Sequence, residues 1–353
     1  MEIKERYDVM ERVCGRLVAA FDAHEYPYNR LSVRPPQEVE NLPPTLVLGS
    51  RDHAMFLFNL CYWMRGGIQS DTAIRSLGLV YSEHPALFDP CVAMHTDPFW
   101  LKQVFTQFGL GWSKNFNSRF WVDNSRLLAE RWDGDPRNLF CDFDKLTETE
   151  AWEAACNRIK KGKDKGFAGF REKMVSLLIY FLMASDLIDP FDFSLPIDFH
   201  NIRMAIILGF VELSCSNGDK EGTFGYDDKL LGTLRDLTYR YSKEHGVSSL
   251  KLCDVLWLYS RSMCSEHPSF QSIVGERNGR STPVSRLILT WTDAQIEAHH
   301  RTCGVCHVAE YCKLVVRSAP YYIQGKIAVD KTAICPVQSL LPAEISRPLI
   351  RRR

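Results

Sequence analysis

Apolar residues recur at three- and four-residue steps along most of this chain. The pattern runs through "RDHAMFLFNLCYWMRGG" (51–67), "DPFWLKQVFTQFGL" (97–110), "NSRFWVDNSRLLAERW" (117–132) and "ETEAWEAACNRIKK" (148–161). It continues in "REKMVSLLIYFLMASDL" (171–187), "FHNIRMAIILGFVEL" (199–213), "KLLGTLRDLTYRYSKEHG" (229–246) and "LCDVLWLYSRSMC" (252–264). Such spacing lines one face of an α-helix, whereas a half-buried strand would alternate with period two. No sustained alternation stands out, so the pattern predicts an all-α fold. Gly246 reads as a helix stop. The connections are short and rich in Pro, Gly or Asp, and the Pro-rich segment 30–45 reads as an extended arm. From about residue 313 the periodicity weakens, and the chain ends "RPLIRRR".

Composition agrees with a buried globular core. Of the 353 residues, 45% are hydrophobic and 24% are charged. Lys and Arg number 43, as do Asp and Glu, so the net charge is zero and any nucleic-acid surface must arise from local clustering. The N-terminal "MEIKERYDVMERV" is charged and amphipathic, unlike a secretion signal, and no apolar run is long enough to span a bilayer. The expectation is a cytoplasmic or nuclear protein with no membrane partner, whose thiols stay reduced.

One cluster of charge is local. Residues 158–173, "RIKKGKDKGFAGFREK", hold seven Lys or Arg against two acids. A solvated loop accounts for this. So does an anion grip in which Lys161, Lys163 and Lys165 surround a turn at Gly166 and Gly169, where backbone N–H groups at a helix start meet a phosphate.

Most of the 12 cysteines stand singly in apolar runs, as Cys14, Cys61, Cys156 and Cys215 do, and read as core packing. "CGVCHVAEYC" (303–312) differs, because Cys303, Cys306 and Cys312 fall in the order C-x2-C-x5-C. With Cys264 at the end of "DVLWLYSRSMC" they make four thiols, the ligand number of a [4Fe–4S] cluster. Four-Cys structural zinc is the runner-up, and a chance cluster of reduced thiols is the bland alternative. His307 reads as exposed rather than as a ligand. Asp198, which precedes the apolar helix starting at Phe199, reads by itself as an N-cap.

Together these residues resemble a known family. C-x2-C-x5-C after a helix such as "LWLYSRSMC" is similar to the cluster loop of the endonuclease III and adenine-glycosylase branch of the helix-hairpin-helix DNA glycosylases. "LPIDFHNIRMA" (195–205) resembles that family's catalytic-aspartate segment, with Asp198, His200 and Arg203 at the matching steps. "GFREKMVSLLIYFLM" resembles the second helix of the hairpin, with Lys173 where bifunctional members keep a Schiff-base lysine. The gap between Lys173 and Asp198 looks more like the archaeal 8-oxoguanine glycosylase than endonuclease III. Gln69 falls near a glutamine that contacts DNA at the flipped-out base. The match runs, with gaps, over about residues 50–312.

Two departures accompany it. The hairpin lacks the family's Leu-Pro. Residues 265–302 separate Cys264 from Cys303 where the family has six residues; they read as an insertion with its own short helix, "TDAQIEAHHR", and make Cys253 the alternative fourth ligand.

The resemblance implies a two-domain helix-hairpin-helix glycosylase fold with an iron–sulfur loop. A six-helix barrel with the hairpin would cover 50–190. A second domain would join 1–49 to 191–312, and 313–353 would be an extension. It implies a DNA glycosylase, with AP-lyase activity if Lys173 is nucleophilic, acting on DNA that carries a damaged or modified base. Asp198 and Lys173 would be catalytic, and His200 and Arg203 would position the backbone. An aromatic pocket for the extruded base is expected among Tyr62, Trp63, Trp112 and Trp121. An N-glycosidase of small modified nucleosides or nucleotides, and a non-catalytic iron–sulfur DNA-binding protein, are the alternatives.

Overall fold

The computed structural model describes residues 2–31, 34–64, 70–110, 114–162, 166–214, 221–224, 228–260, 270–277, 280–287, 305–312, 321–323 and 326–330. The described chain is mostly helical. Its helices are α1 (Tyr7–Asp22), α2 (Arg51–Trp63), α3 (Ser70–Glu83), α4 (Pro90–Ala93), α5 (Pro98–Gln107) and α6 (Lys114–Arg131). There follow α7 (Glu148–Ile159), α8 (Glu172–Ala184), α9 (Phe199–Leu208), α10 (Asp228–His245) and α11 (Ser249–Tyr259). No described helix is long and apolar enough to cross a membrane.

The chain divides into two compact units. One comprises 34–196 with 248–250 and is built around α2. Every residue of α2 from His53 to Trp63 is buried, because "HAMFLFNLCYW" is apolar on all sides and a helix of that kind can only sit inside. The N-cap Ser50 accepts from the His53 amide, and α3, α6 and α8 pack around the helix. Local signals begin the neighbours: Asp97 caps α5 with Pro98 in its first turn, and Thr147 with Glu150 forms a capping box on α7. Asp133 and Gly134, both left-handed, close α6.

The rings packed around α2 form one cluster. Trp63 meets Phe105 edge-on at 4.6 Å between centroids, Trp121 meets Phe88 at 5.1 Å, and the Trp121 indole N–H donates to the Leu87 carbonyl at 2.9 Å. Tyr62, Trp63 and Trp121 are at most 1% exposed. They are therefore core residues and do not line a base pocket, and Trp112 lies outside the described residues.

The other unit comprises 1–33, 197–247 and 251–353, and brings α1, α9, α10 and α11 together. Gly246 follows α10 at φ +62°, as the sequence predicted. The periodicity did not disclose the strands. β1 (Glu2–Glu5) pairs antiparallel with β2 (Val211–Ser214), from Glu2↔Ser214 to Glu5↔Val211. β3 (Glu221–Phe224) pairs with the distant β7 (Lys326–Asp330), which pairs in turn with β6 (Tyr321–Ile323). Within the segment read as an insertion, β4 (Phe270–Arg277) and β5 (Arg280–Leu287) form an antiparallel ladder. The sequence carried its signal: Asn278-Gly279 stands between the two strands and favours the tight turn of a two-residue hairpin. The stretch expected to be a short helix, 292–301, lies outside the described residues.

Candidate functional site

In the α2-centred unit the described residues of the turn between α7 and α8, 160–162 and 166–171, are tightly specified. Lys160 leaves α7 in an extended conformation, and the chain returns at Gly166 (φ +78°) and Gly169 (φ +85°). The Phe167 amide donates to the Ile159 carbonyl at 3.0 Å, and the Lys161 amide to the Phe170 carbonyl at 2.9 Å. Gly166 permits no side chain, since a Cβ there would stand 2.0 Å from the Lys160 oxygen. Phe167 and Phe170 are fully buried, each 5.1 Å from Phe58 between centroids, so the turn is pinned to the core by two rings. Asn124 of α6 completes the anchor: its carboxamide oxygen accepts from the Ala168 amide at 2.7 Å, and its nitrogen donates to the Ala168 carbonyl at 3.0 Å.

The turn feeds the start of α8. Arg171, the N-cap, contributes no side-chain cap, so the positive end of the helix is not closed by its own cap residue. Lys173 is the second residue of α8 and is partly exposed. The basic run around the turn is partly committed to the fold. Arg158 donates to the carbonyls of Leu139 (2.8 Å) and Cys141 (3.2 Å), and its guanidinium lies over the Phe143 and Trp132 rings. Lys160 pairs with Glu172. Lys161 is exposed, and Lys163 and Lys165 lie outside the described residues.

In the other unit Asp198 precedes α9 and caps it reciprocally. Its Oδ1 accepts from the Asn201 amide at 3.1 Å, while the Asn201 side-chain oxygen accepts from the Asp198 amide at 3.1 Å. Asp198 is not buried, as a desolvated catalytic carboxylate would be, but half-buried. Cap and catalyst are compatible, because Oδ1 is held and the carboxylate is thereby fixed at the helix start. His200 and Arg203 are three residues apart on α9, hence on one face; their side chains, and Gln69 altogether, lie outside the described residues.

The cysteine loop belongs to the same unit as Asp198. Residues 305–312 include a short 3-10 turn, Ala309–Tyr311, between Cys306 and Cys312. Val308 is fully buried and Cys312 is 8% exposed. Two residues of α1 or its end hold the loop. Arg16 Nη1 donates to the His307 carbonyl at 3.2 Å and lies 2.7 Å from Glu310, and its guanidinium stacks over Tyr311. His307 pairs with Glu25 at 3.1 Å through Nε2, which leaves it a docking role. Tyr259, at the end of α11, places its hydroxyl 3.5 Å from the Cys306 sulfur. Burial pushes the Cys306 thiol up, while hydrogen bonds from Tyr259 and the Val308 amide work the other way.

The described half of the proposed donor set fits a thiolate-held group. Cys306 and Cys312 sit in one short loop, Cys312 is buried, and the Tyr259 hydroxyl lies 3.5 Å from the Cys306 sulfur. Cys264 and Cys303 lie outside the described residues, and Cys253 is buried on α11. Among the described residues no three His, Cys, Asp or Glu form a metal-holding group.

Sequence reasoning missed Asn124 and Tyr259. Asn124 had a signal: Asn117, Trp121, Asn124 and Leu128 follow a core spacing on α6, and all are at most 1% exposed. A buried Asn on such a stripe requires partners. Tyr259 had none, because its partner lies 47 residues away.

No protein-family profile matches this sequence, and no curated protein matches it. Among solved structures, a trapped covalent intermediate of endonuclease III with DNA, in an estranged-adenine complex, is similar at 11% identity and a TM-score of 0.44. The likeness covers 74% of this chain and 89% of that one.

Proposed function

We propose that the protein is an N-glycosylase that releases a damaged or modified base from DNA. The observation that carries this reading is the described part of the turn before α8, residues 160–162 and 166–171. Two left-handed glycines, a buried Asn124 clamp and two buried Phe rings hold a loop against the core ahead of a helix start that its N-cap side chain leaves open. The Phe167, Ala168 and Phe170 amides are bound internally, so the N–H groups offered to a phosphate are those at the start of α8, which the turn positions.

Breaking the bond between C1′ and the base nitrogen sends the electron pair to the leaving base and develops positive charge on the sugar. A carboxylate at C1′ stabilises that charge. Asp198 supplies it, oriented by its reciprocal cap with Asn201. Lys173, as the free amine, would add to C1′ as the base leaves and lose a proton; cleavage of the C1′–O4′ bond, with O4′ taking up a proton, would give the imine, from which β-elimination expels the 3′-phosphate and cuts the strand. Cys306 and Cys312, with Cys303 and Cys264, would hold a [4Fe–4S] cluster, and zinc is the alternative. A bound cluster would serve as a cross-link within the loop.

A second reading, an N-glycosidase of a small modified nucleoside or nucleotide, is favoured by one observation. Arg158 and Lys160 are tied to internal partners, which thins the basic surface around the turn. The deciding experiment offers lesion-bearing duplex DNA and the matching nucleoside monophosphate side by side. Base release from the duplex, with a borohydride-trapped crosslink that Lys173→Gln abolishes, supports the glycosylase–lyase. Release from the monophosphate alone supports the nucleosidase, and release from neither overturns both.

A further inference from the structure

We propose that Tyr259 is a tuning residue for the cluster, donating a hydrogen bond to the Cys306 sulfur; this rests on the iron–sulfur reading above. The phenol is 2% exposed at the end of α11, and its oxygen lies 3.5 Å from Cys306 Sγ. Its position does not depend on a metal. α11 is fixed by the burial of Leu252, Val255 and Leu256, and by the Tyr28 hydroxyl, which donates to the Val255 carbonyl at 3.1 Å. The loop is fixed from the other side by buried Val308 and by the contacts of Arg16 and Glu25.

The direction of the hydrogen bond follows from the chemistry. A thiol and a phenol can each donate, but a metal-bound thiolate has no proton and only accepts. With the sulfur ligated, the Tyr259 proton points at it. Hydrogen bonds to cluster sulfurs, together with burial, set the reduction potential. Reduction adds negative charge to the cluster, so a donor at Cys306 stabilises the reduced form more than the oxidised form. The low-dielectric surroundings enlarge the effect. Tyr259 therefore raises the potential. As a side chain, Tyr259 can be altered where the Val308 amide cannot.

The test uses the full chain purified without oxygen. Iron and sulfide are assayed, and the reduction potential is measured by mediated titration with dithionite, following the paramagnetic resonance of the reduced cluster. Tyr259→Phe should bind the same iron and sulfide and shift the potential to more negative values. Site-specific 3-fluorotyrosine at 259, nearly the same shape but a stronger donor, should shift it to more positive values, and this second variant keeps the test decisive if Tyr259→Phe loads poorly. A loaded protein whose potential moves in neither variant overturns the role of Tyr259 and leaves the cluster standing. Wild-type protein with zinc and no sulfide, or with no metal, overturns the cluster and the tuning role together.

Discussion

The carboxamide of Asn124 binds both backbone polar groups of one residue, Ala168, accepting from its N–H at 2.7 Å and donating to its C=O at 3.0 Å. The two residues are 44 positions apart, and the side chain is 1% exposed. The shape of the candidate phosphate-binding turn is thus set partly by a helix that does not belong to the hairpin.

Asn124→Ala would remove this partner from the N–H and C=O of the half-buried Ala168. An unsatisfied buried group costs about 1–3 kcal/mol. A loss of stability on that scale is expected, with hydrogen-exchange protection falling first at Lys161, Phe167 and Phe170. Asn124→Asp keeps the acceptor for the Ala168 amide, but leaves its carbonyl facing a carboxylate. Protection that survives in Asn124→Ala would show that the two Phe rings hold the turn without help.

Gly166→Ala is expected to harm the turn more than Gly169→Ala. Both positions are left-handed, which costs a residue with a Cβ about 1–2 kcal/mol. At Gly166 the methyl would also collide with the Lys160 backbone, which has no flexible end to move aside. DNA affinity and thermal stability, measured in parallel on the two variants, check the order. Equal effects would mean that backbone strain dominates.

Asp198 allows cap and catalyst to be separated. Asn caps a helix about as well as Asp, so Asp198→Asn should leave the melting temperature almost unchanged while base release falls by several orders of magnitude. Asp198→Ala should lose both activity and about 1 kcal/mol of stability. Normal excision by Asp198→Asn would reduce the residue to a helix cap.

His53 predicts a pH dependence of the α2-centred unit. It is 3% exposed, its Nδ1 accepts from the Gly49 amide at 3.2 Å, and burial lowers its pKa from the ordinary value. A histidine held neutral in the folded state keeps its full contribution above the unfolded pKa, near 6.5. Below that pH the unfolded chain takes up a proton that the folded chain refuses, so stability falls as pH drops toward the folded pKa. Thermal unfolding from pH 7.5 down to 5 should show this decline, and His53→Gln should flatten it. An unaltered slope would assign the decline to other groups.

Cys306→Ser and Cys312→Ser should each lose iron and sulfide while keeping the helical signal. Buried Val308 and the Arg16 contacts dock the loop independently of any metal. Iron retained in both variants would move the ligands elsewhere.

The helices were legible in the sequence because helix formation is local. The three- and four-residue apolar steps in "RDHAMFLFNLCYW" or "REKMVSLLIYFLM" reflect one turn of helix, and Gly246 and the Thr147–Glu150 box mark ends through neighbours in the chain. Asp198 before an apolar run was also legible as a cap, since its partner is three residues away. What periodicity could not decide is which faces meet. β1 finds β2 across about two hundred residues, Arg16 reaches the cysteine loop across 291, and Tyr259 reaches Cys306 across 47. Nor could charge counting show that Arg158 and Lys160 bind internal partners, because a cation and its carbonyl or carboxylate are matched only by packing. Local sequence specifies the elements and the kinds of chemistry they carry. Tertiary packing brings residues distant in the chain within hydrogen-bonding reach, and so decides which of those groups are held in place and by what.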